Sequence, residues 1–142
     1  MAETFQLEIV TPERLLVKTA AEELVIPGMS GYLGVLPGHA PLITELKVGE
    51  IAYRAEGQVK RLAVAWGFAE VLPDRVTILA EIAEKAEEID VARAQAMKKQ
   101  AEEDLRRAGP AGNPEAQAAL ERAQARLDVA AKLNSQLANL MP

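Results

Sequence analysis

The chain predicts a β-rich N-terminal half, of sandwich or barrel type, followed by a C-terminal pair of antiparallel helices. Three observations carry this expectation. Glycine and proline punctuate the first half at Pro12, Pro27, Gly28, Gly31, Gly34, Pro37, Gly38, Pro41, Gly49, Gly57, Gly67 and Pro73. They are then missing from Asp74 to Ala108, and return together as Gly109, Pro110, Gly112 and Pro114. Several of the early segments alternate apolar and polar residues with the period of two expected of half-buried strands. The remainder is rich in alanine, glutamate, lysine and arginine, which are strong helix formers.

Taken in order, Phe5-Gln6-Leu7-Glu8-Ile9 alternates as a first strand, and residues 20–26 end in an apolar run stopped by Pro27-Gly28. Residues 30–42, with three glycines, two prolines and the only histidine, read as a shaped loop interrupted by a short apolar strand. Segments 50–55 and 58–64 flank Glu56-Gly57 as a tight hairpin, and 68–72 and 75–80 flank Pro73-Asp74 as a second. Short strands with turn signals between them suit a sandwich or a barrel. Asp90 can N-cap a first helix over about residues 91–107. Asn113 can cap a second that has Pro114 in its first turn. Ile89, Ala92, Ala96 and Leu105 are the expected inner face of the first helix. Leu120, Ala123, Leu127, Ala130 and Leu137 form the seam of the second. A seam made largely of alanine buries little area, at ~0.8 kcal/mol per CH₂, so the hairpin is expected to be modestly stable and able to open.

Composition excludes several functional classes. The length of 142 residues fits one domain, or one with a small appendage. A net charge of −5 with no basic, aromatic-interleaved patch argues against nucleic acid as a partner. Without cysteine there is no disulfide, thiolate metal site or cysteine nucleophile. The first residues lack the basic start and apolar run of a signal peptide, and no apolar stretch approaches the roughly 20 residues of a membrane span. The expectation is a soluble cytoplasmic protein without direct membrane insertion. Up to Glu88 there are eight basic and fourteen acidic side chains, and afterwards eight and seven, so the acidic surplus lies entirely in the β part.

No catalytic residue is expected. His39 has no partner nucleophile and reads as a hydrogen-bonded loop residue. Ser30 and Ser135 lie in no nucleophile-elbow pattern, the pairs Glu22-Glu23 and Glu87-Glu88 read as solvated edges, and no phosphate-cradling Walker loop occurs. No metal site is expected. One constellation could carry chemistry. Asp90 and Arg93 open the first helix, and Arg122 and Arg126 lie four apart on one face of the second. In a closed hairpin three guanidiniums could converge on a polyphosphate. On spacing alone the simpler arrangement is preferred, with Asp90 as a helix cap and the arginines paired with Glu121 or Asp128.

The order of these features resembles one family. Gly31-Tyr32-Leu33-Gly34-Val35-Leu36-Pro37-Gly38-His39-Ala40-Pro41-Leu42 is similar to the Gly-x-Leu-Gly-x-x-Pro-Gly-His-Ala-Pro-Leu signature of the epsilon subunits of bacterial F-type ATP synthases. The match continues through Val48-Gly49, residues 67–71 and 76–80, and Ile89-Asp90-x-x-Arg93-Ala94. The resemblance implies a sandwich of about ten strands over residues 1–85 and a helical hairpin over 86–142. It implies a non-catalytic rotor subunit at the cytoplasmic face of the bacterial inner membrane, peripheral to it. Its partners would be the gamma subunit, the c-ring loops and, when the hairpin extends, the catalytic alpha and beta subunits. The hairpin would be a switch that inhibits ATP hydrolysis in its extended form. Ser30, Gly31, Tyr32 and His39 match the rotor-contact region, with Tyr32 where some members carry an acidic residue. Glu84, Ile89, Asp90, Arg93, Ala94, Arg122 and Arg126 match the family's ATP site, while Gln100 stands where a further arginine can occur. No cofactor is required, and ATP would be a regulatory ligand. The competing expectation is a free-standing β-sandwich binding module with a coiled-coil oligomerisation tail.

Overall fold

The fold is described from a computed structural model, which covers residues 3–140. Eight strands precede two helices: β1 (Phe5–Val10), β2 (Leu15–Ala21), β3 (Glu23–Gly28), β4 (Gly31–Val35), β5 (Leu42–Leu46), β6 (Gly49–Ala55), β7 (Gln58–Val71), β8 (Arg75–Lys85), α1 (Val91–Ala108) and α2 (Pro114–Leu140). The architecture is a β-sandwich followed by a two-helix hairpin.

The strand order is β2-β1-β8-β7-β5-β3-β4, and β6 bridges β3 and β7. The pairs are antiparallel except β1 with β8. Alternation sets the core. Phe5, Leu7 and Ile9 of β1, Leu24 and Ile26 of β3, Ile51 of β6, Leu62 and Val64 of β7, and Val76 and Ile78 of β8 meet in one buried cluster. The 14-residue β7 pairs with β6 through Val64 and with β5 from Gly67 onward, so one strand feeds both layers. The changeover is at Trp66 (φ 60°) and Gly67 (φ 135°). A Cβ on Gly67 would lie 2.1 Å from the Leu79 carbonyl oxygen, so only glycine allows β7 and β8 to stay paired through the bend.

Eight strands are seen where the resemblance implied about ten, and their bounds depart from the sequence expectation. The segments 58–64 and 68–72, anticipated as two strands, are one. Residues 20–26, anticipated as one, break at Glu22 between β2 and β3, and β5 begins at Leu42, the last residue of the expected loop, and was not anticipated. The Glu56-Gly57 hairpin forms with both residues at positive φ, as a two-residue turn of that kind requires.

Asp90 caps α1, its Oδ1 accepting from the Arg93 N–H at 3.0 Å, and Asn113 Oδ1 accepts from the Ala116 N–H at 3.1 Å. The inner face of α1 is Ala94 and Ala101, not Ala92 and Ala96, which are exposed. Alanines on every side of a helix leave its rotation undetermined by hydrophobicity. On α2, Ala116, Ala123, Val129 and Ala130 are buried, whereas Leu137 of the anticipated seam is exposed. The helix α2 packs on both α1 and the sandwich, so it has two contact faces rather than one seam.

Candidate functional site

The hairpin lies folded against the outer face of β6, β7 and β8. Three residues of those strands stand side by side in one cross-strand row: Glu50 opposite Ala63, and Ala63 opposite Glu84. Three residues of α2 meet that row. Arg126 Nε donates to Glu84, Val129 packs on Ala63 with Ala86, Ile89 and Leu133, and Lys132 donates to Glu50. The spacings agree. Six residues of helix rise about 9 Å, and two inter-strand steps span about 9.6 Å. A helix crossing the strands therefore places cations at i and i+6 on carboxylates two strands apart, with a valine over the small central residue. Glu50 also accepts from Arg61 Nη1, so its carboxylate bridges a strand and the helix. Arg122, one turn before Arg126, stacks its guanidinium 5.3 Å from the centroid of the Trp66 ring. That distance is within cation–π range.

Below this row, Glu84, Asp90, Arg93, Ala94 and Arg126, joined by Met97, line a pocket of about 180 Å³. Five of the seven residues matched to the ATP signature are thus brought together. Ile89 is instead part of the apolar contact under α2, and Arg122 is drawn to Trp66. Neither arginine pairs with Glu121 or Asp128, which accept from Gln117 and Gln124. The side chain of Arg126 is mostly buried, and its Nη1 makes no hydrogen bond to a described residue. The donor set suits a nucleotide, since guanidiniums bind phosphate oxygens and carboxylates accept from amino and hydroxyl groups. The volume does not yet suit one. Ligand pockets commonly span roughly 300–1,000 Å³, so a nucleoside triphosphate needs a wider opening between the residues that line it.

The rim residues separate. Ser30 and Gly31 sit at the β3–β4 turn and Tyr32 follows them, fully on the exposed edge, with its Oη accepting from the Glu50 N–H at 3.1 Å. His39 lies beyond the other end of β4, with Nδ1 2.7 Å from the Ala40 carbonyl oxygen. The neighbouring Gly38 N–H donates to Pro73 in the β7–β8 turn. Because β4 ends the strand order, these residues mark the two ends of a sheet edge.

Two features escape the sequence reading. One is the Glu50–Ala63–Glu84 row, whose signal was available in the two hairpin registers once combined. The other is an apolar outer face. Phe68 and Leu79 are cross-strand partners, each more than half exposed, and they line a pocket of about 560 Å³ with Val10, Trp66 and Ala80, rimmed by Glu45 and Glu81. Its signal was the consecutive apolar residues in 65–69 and 78–80, which leave neither face polar.

At the foot of the hairpin Arg14 donates two hydrogen bonds to Glu88, at 3.0 and 2.9 Å. These bonds, more than any other influence, hold the Glu88 carboxyl below its ordinary pKa. Burial pushes the Tyr53 phenol up, and the nearby charge of Glu87 adds to it.

Two family models cover most of the chain: the ATP synthase delta/epsilon β-sandwich domain over residues 4–86 and the delta/epsilon long α-helix domain over residues 87–131. The chain belongs to the ATP synthase epsilon family. It is 67% identical over 110 residues to the ATP synthase epsilon chain of Koribacter versatilis, covering 78% of each chain. It is 46% identical over 134 residues to that of Geotalea uraniireducens, covering 93% of this chain and 97% of the relative. Among solved structures, a chain of the Euglena gracilis mitochondrial ATP synthase (OSCP/F1/c-ring) superposes with a TM-score of 0.78 at 24% identity, over 89% of this chain and 81% of that one. A chain of the Tetrahymena thermophila central stalk/c-ring superposes at 0.54 with 11% identity, over 92% of this chain and 96% of that one. Both likenesses are of fold. As an epsilon-family chain, this is a subunit of ATP synthase other than the catalytic one. Among the described residues no helix is long and apolar enough to cross a membrane.

Proposed function

We propose that this chain is a rotor element of the synthase that docks the gamma subunit and the c-ring loops with its sandwich and regulates ATP hydrolysis with its hairpin. The observation that carries this is the way α2 is attached. A valine over an alanine, two carboxylate–cation contacts and one stacked arginine hold it to the sandwich. Such an attachment is specific in register yet made by few side chains, as a two-state element requires. The functional division falls at residues 85/86, where the last strand gives way to the hairpin. The apolar face around Phe68 and Leu79 supports a protein partner there, for which gamma is the reading, since exposed patches of this kind mark interaction sites. The β4 edge, from Ser30, Gly31 and Tyr32 to His39, is the reading for the c-ring side. A partner touching both ends must lie along that edge. The setting is the cytoplasmic face of the bacterial inner membrane, and an extended hairpin would reach the alpha and beta subunits. Truncation after Glu88 is the test. The assembled enzyme should lose inhibition of ATP hydrolysis while the truncated chain still co-purifies with gamma. Equal inhibition by the truncated chain overturns the switch.

ATP is the proposed regulatory ligand of the pocket formed by Glu84, Asp90, Arg93, Ala94 and Arg126. Support comes from the unpartnered Nη1 of Arg126 beside two carboxylates and a second guanidinium. Binding would favour the folded hairpin, because α1, α2 and β8 contribute to the pocket together only in that form. Calorimetry with ATP on the full chain and on Arg126→Ala tests it, and equal affinities remove Arg126 from the site.

A further inference from the structure

We propose that the β4 rim and the hairpin are mechanically coupled through Glu50, so that a partner seated on Tyr32 loosens the hold on Lys132. The inference rests on the reading of Tyr32 as a partner contact and of the hairpin as mobile. Among the described residues, Glu50 is hydrogen-bonded to both. Its backbone N–H donates to Tyr32 Oη at 3.1 Å, and its carboxylate accepts from Lys132 of α2 through Oε2 and from Arg61 of β7 through Oε1.

The local geometry is built for close approach. Tyr32 lies opposite Pro27 across the β3–β4 pair, and its hydroxyl sits where a Cβ on Gly49 would come within 2.7 Å. Any other residue at 49 would push the phenol off the Glu50 amide. The Glu50 side chain is only 13% exposed, yet Tyr32 is 63% exposed and Lys132 about half exposed. Residue 50 thus joins two accessible groups, Tyr32 through its backbone amide and Lys132 through its mostly buried carboxylate. Between them is a cleft of about 580 Å³, walled by Tyr32, Gly49 and Glu50 on one side and by Gln124, Asp128 and Lys132 of α2 on the other.

The direction of coupling follows from which contacts survive. With Tyr32 Oη on its amide and Arg61 on Oε1, residue 50 presents Oε2 to α2 in one orientation. A partner that turns the phenol toward itself frees the amide and removes one of the two restraints. Arg61 stays in place and keeps the carboxylate paired, so release of Lys132 does not leave a lone buried charge. By reciprocity, a hairpin held down by other means makes Tyr32 less available to the partner.

The full chain offers a direct test because it contains no cysteine. Val129→Cys places a single thiol at a fully buried position under α2, and its labelling rate by an aromatic disulfide reagent reads the fraction of time the hairpin is undocked. In that background Tyr32→Phe should raise the rate about threefold, the worth of one ordinary hydrogen bond. Lys132→Ala should raise it by a similar or larger factor, and the double variant should label no faster than Lys132→Ala alone. Arg126→Ala, whose carboxylate is Glu84, should multiply with Tyr32→Phe independently. If Tyr32→Phe acts equally with and without Lys132, or is silent where Lys132→Ala responds, the coupling is refuted and the mobile hairpin stands. If neither Lys132→Ala nor Arg126→Ala changes the rate, the mobile hairpin is refuted and the coupling with it.

Discussion

Val129→Ala should detach the hairpin without loosening the sandwich. Val129 is fully buried, and its cluster partners Ala63, Ala86, Ile89 and Leu133 are separate from the main core cluster of the sandwich. Truncation removes two methyl groups, which are worth about 1.6 kcal/mol of transfer at ~0.8 kcal/mol each. The cavity left behind adds to this, because the methyl groups of Ala63 and Ala86 cannot swing in to fill it. The sum is about 2 kcal/mol, or about thirtyfold in the undocking equilibrium. Hydrogen exchange followed by mass spectrometry resolves the two parts. Peptides of α2 should exchange about thirtyfold faster in the range where undocking gates them. Peptides of β1 and of Arg75–Ala80 in β8 should keep the protection of the parent chain. Equal acceleration in α2 and β1 would mean that hairpin and sandwich open as one unit, and the separable-hairpin reasoning would fail. No acceleration in α2 would mean that Val129 does not hold it.

Three further outcomes are expected. Trp66→Ala removes the platform under Arg122 and should raise α2 exchange about threefold, as a partly exposed cation–π contact implies. An unchanged rate would leave that stacking without energetic weight. Gly67→Ala puts a Cβ 2.1 Å from the Leu79 carbonyl oxygen at a φ of 135°, so urea denaturation should show the sandwich destabilised by about 3 kcal/mol or more, and a loss under about 1 kcal/mol refutes the steric account. Glu88 has a folded-state pKa below its ordinary value, chiefly through Arg14. Its contact therefore stabilises the fold above the unfolded-state pKa and is lost as pH falls through the lower folded one. Solvent screening keeps that effect small. A carboxyl NMR titration should find Glu88 shifted down in the parent chain and moved up toward its ordinary value in Arg14→Ala, and an unmoved titration would break the assignment.

Elements whose identity depends on local chemistry were legible in the sequence. The alternation of Phe5, Leu7 and Ile9, the Glu56-Gly57 turn, and the caps Asp90 and Asn113 each act within a few residues, and each appears where expected. What depended on long-range pairing was not. Residues 58–64 and 68–72 look like two strands because Gly67 reads as a turn. It is instead a close-approach glycine, required by Leu79 twelve residues on. The rotation of α1 was misplaced for a related reason. With alanine on several faces, only the neighbouring helix decides that Ala94 and Ala101 point inward. The ATP-signature residues were legible through resemblance, and the fold gathers five of them, yet it sends Arg122 to Trp66. No spacing rule links residue 122 to residue 66. That contact exists because the bend in β7 aims an indole at α2.

The attachment of α2 suggests why a carboxylate row, rather than a larger apolar patch, holds this hairpin. An apolar face wide enough for firm docking would expose itself whenever the hairpin left, inviting aggregation. Here departure uncovers mainly Ala63, Ala65 and Ala86, which are small. The carboxylates Glu50 and Glu84 rehydrate at the surface, and Glu50 keeps Arg61. On the helix side Arg126 and Lys132 regain water or a new anionic partner. Register survives the economy of contact, because a one-residue slip of α2 would turn Arg126, Val129 and Lys132 about 100° away from the row together. The two ends of the row need not let go at once. Lys132 is about half exposed and its carboxylate already has a second partner, whereas the side chain of Arg126 is mostly buried on a Glu84 that has no other partner among the described residues. Opening should therefore begin at Lys132 and finish at Arg126, beside the pocket proposed for ATP, which places the ligand at the contact that releases last.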